Sequence, residues 1–149
     1  MRLKHSQLIL IVEDSDDDYA ATLRAFNKAG LANTIERCSN GDQALDYLFR
    51  RGQYAGTEAE HPGIVLLDLN LPGTDGRDIL RQIKADEDLK KIPVVVLTTS
   101  DAEIDIESCY AAGANSYIQK PVDLVGFMQS ITRLKEYWFE VVILPKVDE

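Results

Sequence analysis

Basic residues are scarce in this chain. Sixteen Lys and Arg stand against 25 Asp and Glu, a formal net charge of −9 over 149 residues. That balance excludes a general nucleic-acid binder, whose phosphate contacts need clustered cations, and it disfavours docking on an anionic membrane. Cysteine is scarce too. Cys38 and Cys109 match neither a metal-ligand spacing nor a disulfide framework. They suit a reducing cytosol, where a buried thiol behaves as a small hydrophobe. Long apolar runs are missing. Residues 8–12 are too few for a signal peptide and run straight into acids, and no stretch approaches the roughly 20 residues of a membrane span.

What remains is enough for a folded domain. The length is usual for one domain, and 45% hydrophobic residues can supply a core without staples. The expected organisation is a single domain over residues 1–149, with an N-terminal extension at 1–7, an apolar C-terminal tail at 137–149 and no output domain.

Apolar runs at 8–12, 64–67 and 93–97 read as strands covered on both faces. Shorter strand candidates lie at 34–38 and 116–119. Between them the apolar residues recur at helical spacing. A helix capped by Ser15 or Asp16 runs to Gly30, one covers 42–51 and another 78–85. A further helix runs from an Asp101 cap to Ala112, and a last long one opens at Asp123 and reaches about Phe139. The alternation βαβαβαβαβα argues for a parallel sheet with helices on both faces and right-handed crossovers.

In such sheets ligands bind outside the carboxyl ends of the strands. The first strand ends in Glu13 and Asp14, the third in Asp68 with Asn70 two residues on, the fourth in Thr98, and the fifth in Lys120. Carboxylates with a backbone carbonyl and waters make a hard-oxygen site suited to Mg²⁺. A lysine and a hydroxyl suit a phosphoryl group. Each residue alone has a plainer reading: Asp68 as a loop acid, Thr98 as a cap or turn residue, Lys120 as a solvated side chain, Tyr117 as half-buried packing. The functional reading gains from four strand ends supplying four complementary groups. Asp16, Asp17 and Asp18 are expected to serve the first turn of a helix, where an acid gains about 0.3–1 kcal/mol from the macrodipole.

The segments IVEDS (residues 11–15), LLDLNLPGTDG (66–76), PVVVLTTS (93–100) and GANSYIQKP (113–121) resemble those of response-regulator receiver domains. The resemblance covers residues 8 to about 138. It implies an α/β, flavodoxin-like, doubly wound five-stranded parallel sheet, (βα)5, in strand order 2-1-3-4-5. It further implies that Asp68 is the phosphoacceptor, and that Glu13, Asp14, Asp68 and the Asn70 backbone carbonyl hold Mg²⁺. Thr98 and Lys120 would bind phosphoryl oxygens, Tyr117 would be the switch aromatic, and the Lys120–Pro121 bond would be cis. Glu13 as the first acid shifts its metal contact toward a water-mediated one. The implied protein is a single-domain regulator, not a turnover enzyme. It would take its phosphoryl group from a sensor histidine kinase and signal by protein contact. LLDLNLP, IPVVVLTTS and YWFEVVILP (137–145) are also similar to the small regulators paired with cyanobacterial phytochromes, which points to a phytochrome as the kinase. Thr99 departs from the usually small residue at its position and would narrow access to the phosphoryl site.

Three rivals stand beside this reading. An aspartyl phosphohydrolase would need an acid where Asn70 stands. A flavin mononucleotide carrier would need a hydroxyl- and glycine-rich loop where the chain reads EDSDDD. A receiver-fold scaffold that is never phosphorylated would need none of the site residues. The tail adds a last expectation. With Leu124, Phe127, Met128, Ile131 and Leu134 on the core side of the last helix, the apolar residues at 137–139 and 141–144 are in excess. One or two of them would fold back on the core. The rest reads as an interface, so a homodimer through the fifth helix and the tail is expected.

Overall fold

The computed structural model describes residues 7–57 and 61–145. The N-terminal extension before Gln7 and the last four residues of the tail lie outside the described residues. Five strands, β1 (Ile9–Val12), β2 (Ile35–Cys38), β3 (Ile64–Leu67), β4 (Val94–Thr98) and β5 (Ser116–Gln119), form one parallel sheet in the order β2-β1-β3-β4-β5. β1 pairs with β2 and β3 over its whole length, Val12 standing opposite Cys38 on one side and Leu67 on the other. β1, β3 and β4 are buried at every position, as their unbroken apolar runs require. β5 is an edge strand and only half-buried.

Five helices follow the strands: α1 (Asp16–Lys28), α2 (Gly41–Phe49), α3 (Gly76–Ala85), α4 (Glu103–Ala111) and α5 (Leu124–Glu136). On one sheet face, α2 and α3 close a core with Leu10, Val65, Leu67 and Val96, to which α4 adds Cys109. On the other face, α1 and α5 close a core with Ile9, Ile11, Leu66 and Val95. Both thiols are buried, and burial pushes Cys38 up to about 12, so it behaves as packing.

Side-chain caps set most helix starts. Ser15 Oγ accepts from the Asp18 amide (3.1 Å), Asn40 Oδ1 from Gln43, Asp75 Oδ1 from Arg77, and Asp123 Oδ2 from Gly126, each satisfying an orphan donor of a first turn. α4 differs from the expectation. Its N-cap is Ala102, with no side-chain cap, and Asp101 lies outside the helix. Ser100 does the work instead: its hydroxyl accepts from the Ala102 amide (3.2 Å) and donates to Asp105 (2.7 Å).

Three further expectations need correction. Among the described residues no peptide bond is cis, so Lys120–Pro121 is trans, the form X–Pro bonds favour by about 0.5–1 kcal/mol. The described part of the tail, residues 137–145, folds back on its own core through Trp138, Phe139 and Leu144. After α5 a wide π turn (Tyr137–Val141) buries Trp138 and Phe139, and the extended residues beyond it bury Leu144 while Val141 and Ile143 face outward. An alternating extended segment buries every second side chain, so about half of the apparent apolar excess is spent within the chain. Gln7 Nε2 donates to the Pro145 carbonyl (3.2 Å) and ties the tail to the chain ahead of β1. Leu124, expected on the core side of α5, is 51% exposed, whereas Phe127, Ile131 and Leu134 are buried.

Candidate functional site

The sheet order reverses between β1 and β3, and the loops after them leave on opposite faces. This opens a crevice at the carboxyl edge, where Glu13, Asp14 and Asp68 converge: one carboxylate oxygen from each lies within 4.8 Å of the others. Glu13 is buried, Asp68 partly buried and Asp14 exposed at the mouth. β5 delivers the counter-charge from across the sheet. Its following residue, Lys120, is 6% exposed, and its amide donates to the Thr98 carbonyl (2.7 Å). The Lys120 ammonium donates to Glu13 Oε1 (2.7 Å), Asp18 Oδ2 (2.9 Å) and Asp68 Oδ2 (3.4 Å).

The electrostatics follow from burial. Desolvation pushes Glu13 up to about 7, against the pull of Lys120. Burial alone would lower the Lys120 ammonium, but its hydrogen bonds to Glu13 and Asp18 and the charge of Asp68 outweigh that and hold it above its ordinary value. Glu13, Asp14 and Asp68 form an all-oxygen cluster with Lys120 at its edge. Its donor set fits a hard divalent cation that keeps several waters. Glu13 is turned toward Lys120 and also accepts from the Ser15 amide (3.2 Å), in keeping with an indirect role toward a metal.

The loop after β3 (residues 68–75), called the acceptor loop after the role expected of Asp68, is built tightly. Gly76 donates to the Leu69 carbonyl (3.0 Å), and a Cβ on it would stand 2.3 Å from the Asp68 carbonyl oxygen. On the α2 side, Gly41 donates to Pro72 (3.0 Å), and Asp42 Oδ1 accepts from the Thr74 amide (3.2 Å) and hydroxyl (2.5 Å). On the α4 side, Arg77 pairs with both Asp75 (3.0 Å) and Asp105 (2.7 Å). Asp105 holds Ser100, whose carbonyl accepts from the Tyr117 hydroxyl (2.9 Å). A polar chain thus runs from the acceptor loop to the residue after Thr99.

The expected site residues fall as follows. Glu13, Asp14, Asp68 and Lys120 are brought together. Thr98 ends β4 fully buried, beside Lys120 along the backbone, and its hydroxyl faces the Ser100 amide at a long 3.4 Å. Asn70 lies exposed in the acceptor loop. Tyr117 packs partly against the core. Thr99 is exposed and lines the cleft shared by Asp18 and Lys120. Asp18 departs from the expectation of a first-turn acid. Asp18 reaches Lys120, whereas Asp16 turns away to Arg37 (2.9 Å). A helical Cα–Cβ bond tilts toward the helix N-terminus. The third residue of α1 therefore leans back over the strand ends, a signal available in the sequence.

An acid crevice at the switch point of a 2-1-3-4-5 sheet, with a buried lysine reaching across from β5, defines a response-regulator receiver domain. The chain belongs to that family: the response regulator receiver domain matches residues 9–132. It is 36% identical to the response regulator Rcp1 of Synechocystis over 139 residues, 93% of each chain. It is also 41% identical to the probable methanogenesis regulatory protein FilR2 of Methanothrix harundinacea over 131 residues, 88% of this chain and 83% of that protein. Among solved structures, the Mn²⁺-bound form of Rcp1 superposes with a TM-score of 0.88, covering 93% of this chain and 99% of that one. The phosphorylated cyanobacterial phytochrome response regulator RcpA also gives 0.88, at 37% identity, covering 95% and 99%. Receiver domains are signalling proteins that take phosphoryl groups from histidine kinases. Among the described residues no helix is long and apolar enough to cross a membrane.

Proposed function

We propose that Asp68 accepts a phosphoryl group from the phosphohistidine of a sensor kinase. The observation that carries this reading is the Lys120 ammonium, delivered from the far end of the chain to within 3.4 Å of the Asp68 carboxylate. The Asp68 oxygen attacks phosphorus, the P–N bond breaks, and its electron pair returns to the histidine nitrogen. Lys120 donates to a phosphoryl oxygen, and the Thr98 hydroxyl donates to another. Mg²⁺, held by Glu13, Asp14, Asp68 and the Asn70 carbonyl, would neutralise charge so that an anionic nucleophile can meet an anionic group. Water later attacks the phosphorus of the acyl phosphate, releases phosphate and restores the Asp68 carboxylate. The chain thereby assists both its own phosphorylation and its own dephosphorylation. The likeness to RcpA extends the reading to a phytochrome as the kinase, and the two buried thiols suit work in the cytosol.

The signal leaves through α4, β5 and α5. Thr98 moving to the phosphoryl group and Tyr117 filling the space behind it make a two-state element biased by local charge. The output is a protein contact, and we extend it to a homodimer through α5 and the tail. Tyr137, Val141 and Ile143 stay exposed beside the buried Trp138, Phe139 and Leu144, which supports that face.

Incubation with Mg²⁺ and a small phosphodonor, and with candidate sensor kinases, tests the reading. A stoichiometric acyl phosphate that Asp68→Asn abolishes is expected. Sustained phosphate release would indicate a phosphohydrolase, and no labelling at all a scaffold. Sedimentation of the full chain and of a truncation after Glu136 tests the dimer. A monomer in both phosphorylation states, or a truncation that dimerises equally well, would remove it.

A further inference from the structure

The Lys120 ammonium has three N–H donors, and all three are committed to carboxylates. The two shorter contacts are to Glu13 and Asp18, and the longest is to Asp68. These acids are not equivalent. Glu13 and Asp68 belong to the trio whose oxygens converge on one point, and Asp18 does not. When a divalent cation sits among that trio, Glu13 and Asp68 share their charge with it. Among the described residues Lys120 is then the cation that Asp18 pairs with.

Asp18 is also held in place. Its amide donates to Ser15 Oγ (3.1 Å), and its carbonyl accepts from Thr22 Oγ1 (2.8 Å). Its side chain is 43% exposed, against 5% for Lys120, so it approaches the lysine from the open side of the crevice. Asp16, two residues earlier, is 90% exposed and bound to Arg37 instead. The Asp18 contact is therefore specific to one residue of an acidic run.

We propose that Asp18 is a positioning residue of the phosphoryl site, whose carboxylate competes with the phosphoryl group for the Lys120 ammonium and so limits how tightly the site holds that group. The proposal rests on the phosphoryl-acceptor reading and adds a residue to it. A phosphoryl group on Asp68 must draw Lys120 away from an acid that pairs with no other cation among the described residues, and the acid repels the incoming charge as well. Screening at the exposed side keeps the effect moderate.

The test is calorimetric titration of the full chain with beryllofluoride, a non-covalent phosphoryl mimic, at saturating Mg²⁺. Asp18→Asn and Asp18→Ala are expected to tighten binding about two- to fivefold, the range of a partly exposed charge pair. In a Lys120→Gln background the same change is expected to move affinity less than about twofold, because the effect acts through the lysine. Affinity for Mg²⁺ alone should stay within about twofold, since Asp18 lies outside the cation trio. Unchanged or weakened beryllofluoride binding, with wild type binding normally, overturns the proposal and leaves the acceptor reading intact. A loss of Mg²⁺ affinity larger than the beryllofluoride effect overturns it by assigning Asp18 to the cation site. A wild type that binds no beryllofluoride overturns the acceptor reading, and the proposal with it.

Discussion

α3 and α4 cover the same face of the sheet, side by side, yet they are anchored by different physics. α3 buries Ile79, Leu80 and Ile83 completely, and Gly76 lets its start press on the acceptor loop. α4 buries only Cys109, and leaves Ile104 76% and Tyr110 50% exposed. Its first turn is attached through ions and hydroxyls: Arg77 to Asp105, Asp105 to Ser100, Ser100 to Tyr117. Fully buried aliphatic side chains each contribute about 1.5–3 kcal/mol, whereas polar contacts between partly buried groups contribute about 0.5–1.5 kcal/mol each and can be exchanged for water. A switch needs one part that stays and one that moves at low cost. Under the proposed function, apolar burial would fix α3 beside the chemistry, and polar contacts would leave α4 and the edge strand β5 as the part a local charge can shift.

The contrast can be broken at several points. Ile79→Ala should have the largest effect, a loss of about 2–5 kcal/mol in urea unfolding, because it opens a cavity in a closed core. Gly76→Ala should follow at about 1–3 kcal/mol, since its Cβ would meet backbone and the acceptor loop must shift. Thermal melts with and without Mg²⁺ would show whether the cation response falls along with stability, as the contact with the Asp68 carbonyl requires. Arg77→Gln should leave global unfolding nearly unchanged while amide protection falls in α4 and persists in α3. Equal loss of protection in both helices would refute the division. Ile104→Ala should be smallest, within about 0.5 kcal/mol, as for an ordinary surface position.

The polar anchor also has a defined pH window. The Ser100 hydroxyl, and then Arg77, hold the Asp105 carboxyl below its ordinary value of 3.8. A carboxyl depressed in the fold gives stability that is complete above that value and lost only as pH falls beneath it. α4 should therefore keep its protection from neutral pH down to about 4 and lose it in stronger acid, ahead of α3. Asp105→Asn should remove that acid step.

Much of this was legible in the sequence. The unbroken apolar runs at 8–12, 64–67 and 93–97 could only be doubly covered strands, and a parallel sheet puts the residues that follow them on one edge. The sequence therefore puts Glu13, Asp14, Asp68 and Lys120 together on that edge. The errors lie where side-chain direction or tertiary contact decides. Asp101 looked like a cap, but the Ser100 hydroxyl took the first free amide. Asp18 looked like one of three solvated first-turn acids, yet its place in the turn aims it at Lys120. The tail looked like spare apolar surface. Its burial depends on a π turn and an alternation that carry Trp138, Phe139 and Leu144 back to the α1–α5 face, and no local pattern dictates that return.

Borohydride reduction of the phosphodonor-treated protein, followed by peptide mapping, tests the central claim most directly, because reduction converts an aspartyl phosphate to homoserine. The account predicts homoserine at position 68 and at no other position, dependent on Mg²⁺ and absent from Asp68→Asn. Homoserine at a different aspartate, or equal conversion in the variant, would contradict it.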